Sequence, residues 1–227
     1  MIELAYDIQH IHTCTPSPGC QQPCHGLRIP ANRLTLISSP DSQHSRAVLD
    51  TLAGCQGQLC GQLFGQPLSH GRVAIARLGA QTTTHSRLRL GDFVMQARRQ
   101  HWLARPHAID HEAVSHALHT LGISELAQHK LHTLNAAQRQ LACLAQALAG
   151  HAPVLLLDEP ASLLAPASRD ILLRKLAALA LRGRTIICTL QGSQASQACA
   201  HWLIQLHADG HARQGVPTQQ HTPALAA

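Results

Sequence analysis

Two adjacent carboxylates, Asp158 and Glu159, end an apolar run, VLLL, that carries no charge of its own. In a parallel sheet such a run is a strand buried on both faces, and its polar end emerges at the carboxyl edge of the sheet. An aspartate there can hold a metal ion, and a glutamate beside it can act as a general base on water. Immediately upstream, LNAAQRQ (Leu134 to Gln140) opens an amphipathic helix that leads into the acidic strand. Much earlier, RLTLIS (Arg33 to Ser38) is a short β-type run that feeds a polar loop.

The elements that position these groups follow from periodicity. Leu141, Leu144, Ala145 and Leu148 recur at helical spacing and give residues 138–149 one buried face. After the strand at 153–158 come a helix near 167–182, with Leu172, Leu176 and Leu179 inward, and the strand RTIICTL. A helix near 194–200 and the strand WLIQL complete that half. Arg46 to Leu52 reads as helical, Val73 to Leu78 as a strand ending at Gln81, and residues 91–130 as two or three helices. Leu4 to Ile11 alternates weakly, as a β-lobe does. Strands separated by helices of this length imply parallel pairing through right-handed crossovers. The expected architecture is a single α/β domain over 1–227, with a core at about 1–81 and 151–215 and a helical insert at about 82–150.

Composition removes several function classes. The net charge is +6, but only 13% of residues are charged and the basic ones are dispersed. Aromatics are 2%, so the stacking platform and basic stripe of a nucleic-acid binder are both missing, and no nucleic-acid partner is expected. An anionic membrane surface suits the charge as well as any other partner. No run approaches the roughly 20 apolar residues that cross a bilayer, and MIELAYDIQH is no secretory signal. The chain therefore reads as cytoplasmic, with its cysteines reduced. Cys143, Cys188 and Cys199 fall in apolar surroundings and read as small core residues. CQQPCH (Cys20 to His25), with Cys14 upstream, could ligate zinc, yet no second ligand pair stands at the needed distance. His107/His111 and His116/His119 have helical spacing and read as exposed residues.

In order and spacing, these segments resemble the ATP-binding subunits of ATP-binding cassette (ABC) transporters, in which LSGGQRQ leads into LLLDEP. The resemblance extends over most of the chain. LTLISSPDSQHSRAVLDTLAG (Leu34 to Gly54) is similar to the family's strand, phosphate loop and helix, and TIICTLQ (Thr185 to Gln191) to its switch strand. VMQARRQH (Val94 to His101) looks like the VxLGRxPH segment of importers for iron-siderophores, haem and cobalamin. LHADGHARQGVP (Leu206 to Pro217) resembles the closing hairpin of those importers, with Thr222-Pro223 beyond it.

The resemblance implies an ABC-type P-loop nucleotide-binding fold with an N-terminal antiparallel β-lobe and a helical insert. It implies ATP and Mg²⁺ as cofactors. The implied partners are integral-membrane permease subunits and a second ATP-binding subunit, identical or not, on the inner face of a cell membrane. Asp158 takes the place of the Mg²⁺ ligand and Glu159 that of the general base. Gln81 falls where the family places the glutamine that watches the γ-phosphate and the metal. Ser39, Ser42, His44, Ser45, Arg46 and Ala47 fall on the phosphate loop, while Asn135, Ala136, Ala137 and Gln138 fall on the signature that closes over the partner's ATP.

Several of those positions depart from the motif. A working loop, GxxxxGK followed by Ser or Thr, uses glycines to bring backbone N–H groups around the phosphates, Lys to neutralise them, and a hydroxyl to hold Mg²⁺. Here Ser39 and His44 replace the glycines, Ser45 stands at the Lys and Arg46 at the hydroxyl, and Asp41 adds a negative charge. The chain's two lysines, Lys130 and Lys175, are far from the loop in sequence. Asn135, Ala136 and Ala137 replace the signature's Ser and two Gly, which weakens that half without abolishing it, because Asn still donates and a helix N-terminus still favours an anion. Gln191 replaces the switch histidine, Ala165 the Asp that ends the family's SALD, and His12 is the nearest candidate to stack on adenine. Two readings remain. One is an importer subunit whose ATP binding and hydrolysis are severely impaired, and the other is an inactive docking or regulatory relative of such an ATPase.

Overall fold

The computed structural model describes residues 3–12, 24–55, 58–67, 74–79, 87–101, 105–190, 198–207 and 211–217. Its centre is a six-stranded sheet. The strands are β3 (Leu34–Ser38), β6 (Ile75–Leu78), β7 (Val154–Leu157), β8 (Thr185–Thr189), β9 (Trp202–Leu206) and β10 (Ala212–Gly215). Their order is β10-β9-β3-β8-β7-β6. All neighbours are parallel except the β9–β10 pair. β7 and β8 are buried along their whole length, as the continuous apolar runs VLLL and TIICT require.

A second, antiparallel sheet has the order β2-β1-β4-β5, built from β1 (Leu4–His12), β2 (Cys24–Pro30), β4 (Gln58–Leu63) and β5 (Gln66–Pro67). It covers one face of the central sheet together with α1 (Ser42–Leu52). Tyr6, Ile8, Leu27 and Ile29 pack there against Val48, Leu49, Ile187 and Ile204. The Tyr6 hydroxyl donates to the Leu52 carbonyl at the end of α1 (3.2 Å), and burial pushes its pKa up. Gln214 of β10 ties the sheets together: its side chain accepts from the Arg28 N–H (2.8 Å) and donates to the Gly26 carbonyl (2.6 Å).

The opposite face carries the helices α2 (Leu90–Met95), α3 (Ala108–Leu121), α4 (Ala136–Ala149) and α5 (Pro166–Leu181). Leu155, Leu157, Ile186 and Cys188 pack there against Leu144, Ala145, Leu172 and Leu176. Cys143 and Cys188 are buried and Cys199 is half-buried, as the sequence suggests. Arg98 is wholly buried. Its Nε donates to Asp110 Oδ1 (2.9 Å), while Asp110 Oδ2 accepts the His107 N–H (2.8 Å). That backbone bond, assisted by Arg98, holds the Asp110 carboxyl below its ordinary range. The histidines at 107, 111, 116 and 119 are exposed, as expected.

β2, β4 and β5 are not apparent from sequence periodicity. The zinc-like segment from Cys14 lies mostly outside the described residues, as do Val73, much of the helix expected near 194–200, and Thr222-Pro223.

Candidate functional site

The ends of β3, β7 and β8 meet the start of α1 at the carboxyl edge of the central sheet, and α4 reaches that edge through Gln140. The turn from β3 into α1 comes first. The sequence reading starts this helix at Arg46, but the structure starts it at Ser42, so the residues expected to form an open loop are wound into an additional helical turn. The cause is Asp41. Its backbone is extended (φ −106°, ψ 117°) and its Oδ1 accepts the Gln43 N–H at 2.8 Å, the geometry of an N-cap. The Asp41 carbonyl accepts the Ser45 N–H (3.4 Å), and the Ser39 hydroxyl accepts the Asp41 N–H (3.2 Å). Ser45 Oγ turns back onto the Ser42 carbonyl (3.0 Å). Three backbone N–H groups of the turn, those of Asp41, Gln43 and Ser45, therefore have acceptors from within it. His44 is buried in the same turn. Desolvation lowers its pKa and outweighs the opposing attraction of Asp41.

Arg46, one turn along α1, reaches across to the end of β7. Its Nε donates to Asp158 Oδ2 at 2.7 Å, a charge-assisted bond, and the Asp158 side chain is 3% exposed. The other carboxylate oxygen, Oδ1, accepts the Thr189 hydroxyl at 2.8 Å. Both oxygens of the acid are thus engaged by protein groups 112 and 31 residues away. Mg²⁺ takes near-octahedral oxygen ligands and normally keeps several waters. A guanidinium has no lone pair to give and repels a second cation. The donor set at Asp158 does not fit Mg²⁺, and the self-bonded turn at 39–45 does not fit a polyphosphate.

Glu159 occupies a different situation. Its backbone is left-handed (φ 47°), a conformation that costs a non-glycine residue about 1 kcal/mol. Thr189 and Gln140 hold it there. The Glu159 N–H donates to Thr189 Oγ1 (2.9 Å), and Gln140 Nε2 donates to the Glu159 carbonyl (2.9 Å) and to Ser162 Oγ (3.0 Å). Gln140 Oε1 accepts the Leu163 N–H (3.2 Å). Among the described residues the Glu159 carboxylate has no hydrogen-bond or ion-pair partner.

α4 begins at Ala136 behind a complete capping box. Asn135 Oδ1 accepts the Gln138 N–H (2.9 Å), and Gln138 Oε1 accepts the Asn135 N–H (3.0 Å). Asn135 and Ala136 are exposed, and Ala137 and Gln138 partly so. The amide donors of Asn135 have no described partner.

The structure thus brings together Ser39, Asp41, Arg46, Asp158 and Glu159, with Ala47 in the next helical position. Gln81 and Gln191 lie outside the described residues, and nothing of the His12 side chain is described. Sequence reasoning missed Thr189 and Gln140. Thr189 carries the signal of a hydroxyl at the end of an apolar strand, and Gln140 is the last residue of LNAAQRQ, on the face that turns inward.

The site can be set against known proteins. The profile of the ABC transporter family matches residues 47–162, beginning just after Arg46. The ferric enterobactin transport ATP-binding protein FepC of Escherichia coli K12 is 30% identical over 211 residues, covering 88% of this chain and 77% of its own. The iron(3+)-hydroxamate import ATP-binding protein FhuC of Bacillus subtilis is 24% identical, covering 88% and 78%. Among solved structures, an inward-facing metal-chelate-type ABC transporter superposes with a TM-score of 0.73 at 22% identity, over 94% of this chain and 84% of that one. An ATP-binding cassette in its ADP conformation gives 0.76 at 14%, over 95% and 92%. At such identities the superpositions speak for the fold alone. Together with the acidic end of β7 and the capped start of α4, the family match and the FepC alignment lead to one conclusion: this chain belongs to the ATP-binding family of ABC transporters.

Proposed function

We propose that the chain is the ATP-binding-type subunit of an importer for an iron chelate, haem or cobalamin, with ATP binding and hydrolysis severely impaired. It would sit on the cytoplasmic face of a membrane, against integral-membrane permease subunits and a second ATP-binding subunit. The cargo class rests on the relatives named for ferric enterobactin and iron(3+)-hydroxamate transport. Residues 82–150 would form the helical lobe, and 1–81 with 151–215 the core.

The observation that carries the impairment is the Arg46–Asp158 pair at 2.7 Å, because it places a fixed guanidinium on the acid the family uses for Mg²⁺. No lysine is near in sequence to assist a phosphate, and the N–H groups of Asp41, Gln43 and Ser45 in the turn are engaged. The test is an ATP titration in Mg²⁺ of the parent chain beside the variant Ser39→Gly, His44→Gly, Ser45→Lys, Arg46→Ser. The parent is expected to show no binding at millimolar ATP and the variant to bind at least about 100-fold more tightly, since charge-assisted bonds contribute about 1.5–3 kcal/mol each. Micromolar ATP binding by the parent would rule out the impairment.

A second reading has its own support. The start of α4 is exposed, the Arg139 guanidinium lies against the Leu134 carbonyl beside it, and the Asn135 amide donors have no partner among the described residues, so this chain can face ATP held by a competent partner's loop. In that arrangement only the weaker of the two altered half-sites takes part. Mixing with an active relative and its permease should then give an ATP-dependent heterodimer. A docking or regulatory subunit that never contacts ATP would give none.

A further inference from the structure

We propose that the nucleotide edge of this cassette is filled by its own side chains: the Arg46 guanidinium stands in for the divalent metal and the Asp41 carboxylate for the phosphate anion. The inference deepens the reading above and rests on the same edge being the family's nucleotide site. Impairment alone would leave an empty, frustrated pocket. The structure has a satisfied one.

Two pairs of opposite charge make the case. At the start of α1 the helix dipole attracts an anion, and Asp41 supplies it, accepting the Gln43 N–H at 2.8 Å. At the end of β7 a carboxylate with 3% exposure demands a cation, and Arg46 supplies it at 2.7 Å while Thr189 takes the remaining oxygen. The two substitutes sit five positions apart on the same turn and helix, so they act together. The extra turn of α1 that Asp41 nucleates leaves Arg46 bonded to Asp158.

The consequence is mechanical. In a cassette that needs Mg²⁺ and triphosphate to connect the β3–α1 turn with the ends of β7 and β8, solute decides when those segments are linked. Here the link is made by the chain's own side chains, in hydrogen bonds that run from α1 through Arg46 to Asp158 and through Thr189 to the Glu159 N–H (2.9 Å). The edge is therefore metal-independent. Chelation leaves it unchanged, and a divalent cation competes with Arg46 for Asp158 and loses.

The experiment compares the parent with Arg46→Ser, Asp158→Asn and the double variant, using thermal unfolding in chelator and in Mg²⁺, and Mn²⁺ binding followed by electron paramagnetic resonance. The parent should melt at the same temperature with or without divalent ion and bind Mn²⁺ only weakly. Arg46→Ser should melt lower in chelator, recover part of the loss with Mg²⁺ or Mn²⁺, and bind Mn²⁺ at least about tenfold more tightly than the parent. In the Asp158→Asn background, Arg46→Ser should cost markedly less and gain no Mn²⁺ site. If Arg46→Ser does not fold, Arg46→Gln, which keeps a neutral donor, takes its place. Equal Mn²⁺ affinity in parent and Arg46→Ser, or an Arg46→Ser melting loss unaltered by Asp158→Asn, overturns the inference and leaves the impairment standing. ATP binding by the parent, with or without chelator, overturns the impairment and the inference together.

Discussion

α1 and α4 are both capped by a side chain at their N-termini, yet the caps differ in charge. Asp41 closes α1 with a carboxylate, and Asn135 closes α4 with a neutral amide. The acid satisfies the helix dipole outright and turns away further anions. The amide satisfies one N–H, leaves the dipole uncompensated and keeps its own two donors. One helix start is thus complete in itself and the other remains open to an incoming anionic group. The proposed impairment is therefore lopsided: an acid caps the helix that also carries Arg46, and an uncharged amide caps the other.

The largest expected effect lies in the residue that joins the two ends. Gln140, on α4, holds the Glu159 turn through Glu159, Ser162 and Leu163. Gln140→Leu should destabilise the chain by about 1.5 kcal/mol in urea unfolding and speed hydrogen exchange at 159–163, because partly buried polar groups lose their partner. Unchanged exchange there would mean that the two ends are independent. Asn135→Ala should cost about 1 kcal/mol through the lost capping box, and Asn135→Asp should leave stability unchanged while weakening any ATP-dependent pairing with an active partner.

Acid should separate the ends further. The His44 pKa is lowered chiefly by burial, with Asp41 pulling the other way. Above its ordinary pKa near 6.5 the ring is neutral in both folded and unfolded chains. As pH falls below that value the unfolded chain takes up the proton first, so stability declines. His201 adds to the same trend: burial, then the charge of Arg33, lower its pKa, and its Nδ1 accepts the Leu34 N–H (3.0 Å). Unfolding midpoints measured at about pH 7.5 and 5.5 should therefore fall less for His44→Gln than for the parent, while Asn135→Ala leaves the slope alone. The smallest effect is that of Asp41→Asn. It should cost only a few tenths of a kcal/mol at neutral pH, Asn being nearly as good a cap, but should steepen the acid decline by removing the charge that favours His44 protonation.

Much of the fold was legible because burial writes itself into apolar runs. LTLI, VLLL and TIICT are strands covered on both faces, and α4 and α5 carry their stripes at the expected spacing. β4 was not legible: QLCGQL alternates glutamine and glycine with small apolar groups, and it is held by pairing to β1 more than by its own side chains. The site was half legible. Asp158 and Glu159 announced themselves as charges ending an uncharged strand, and the capping box of Asn135 and Gln138 was visible as a helix start. The start of α1 was misplaced because the loop was read against the family's pattern, whereas Asp41 ahead of a helical stretch is itself an N-cap signal. The Arg46–Asp158 bond joins residues 112 positions apart, and no local pattern encodes it.

The strand order carries a consequence for how this chain is made. β3 leaves the ribosome early, yet its two neighbours in the sheet are β8 and β9, at residues 185–189 and 202–206. Until residues 185–206 are synthesised, Leu34 to Ile37 lacks one or both of its strand partners, and until Gln214 follows, the antiparallel sheet lacks its clip. Topology of this kind folds slowly and leaves an apolar strand exposed to self-association or chaperones throughout translation.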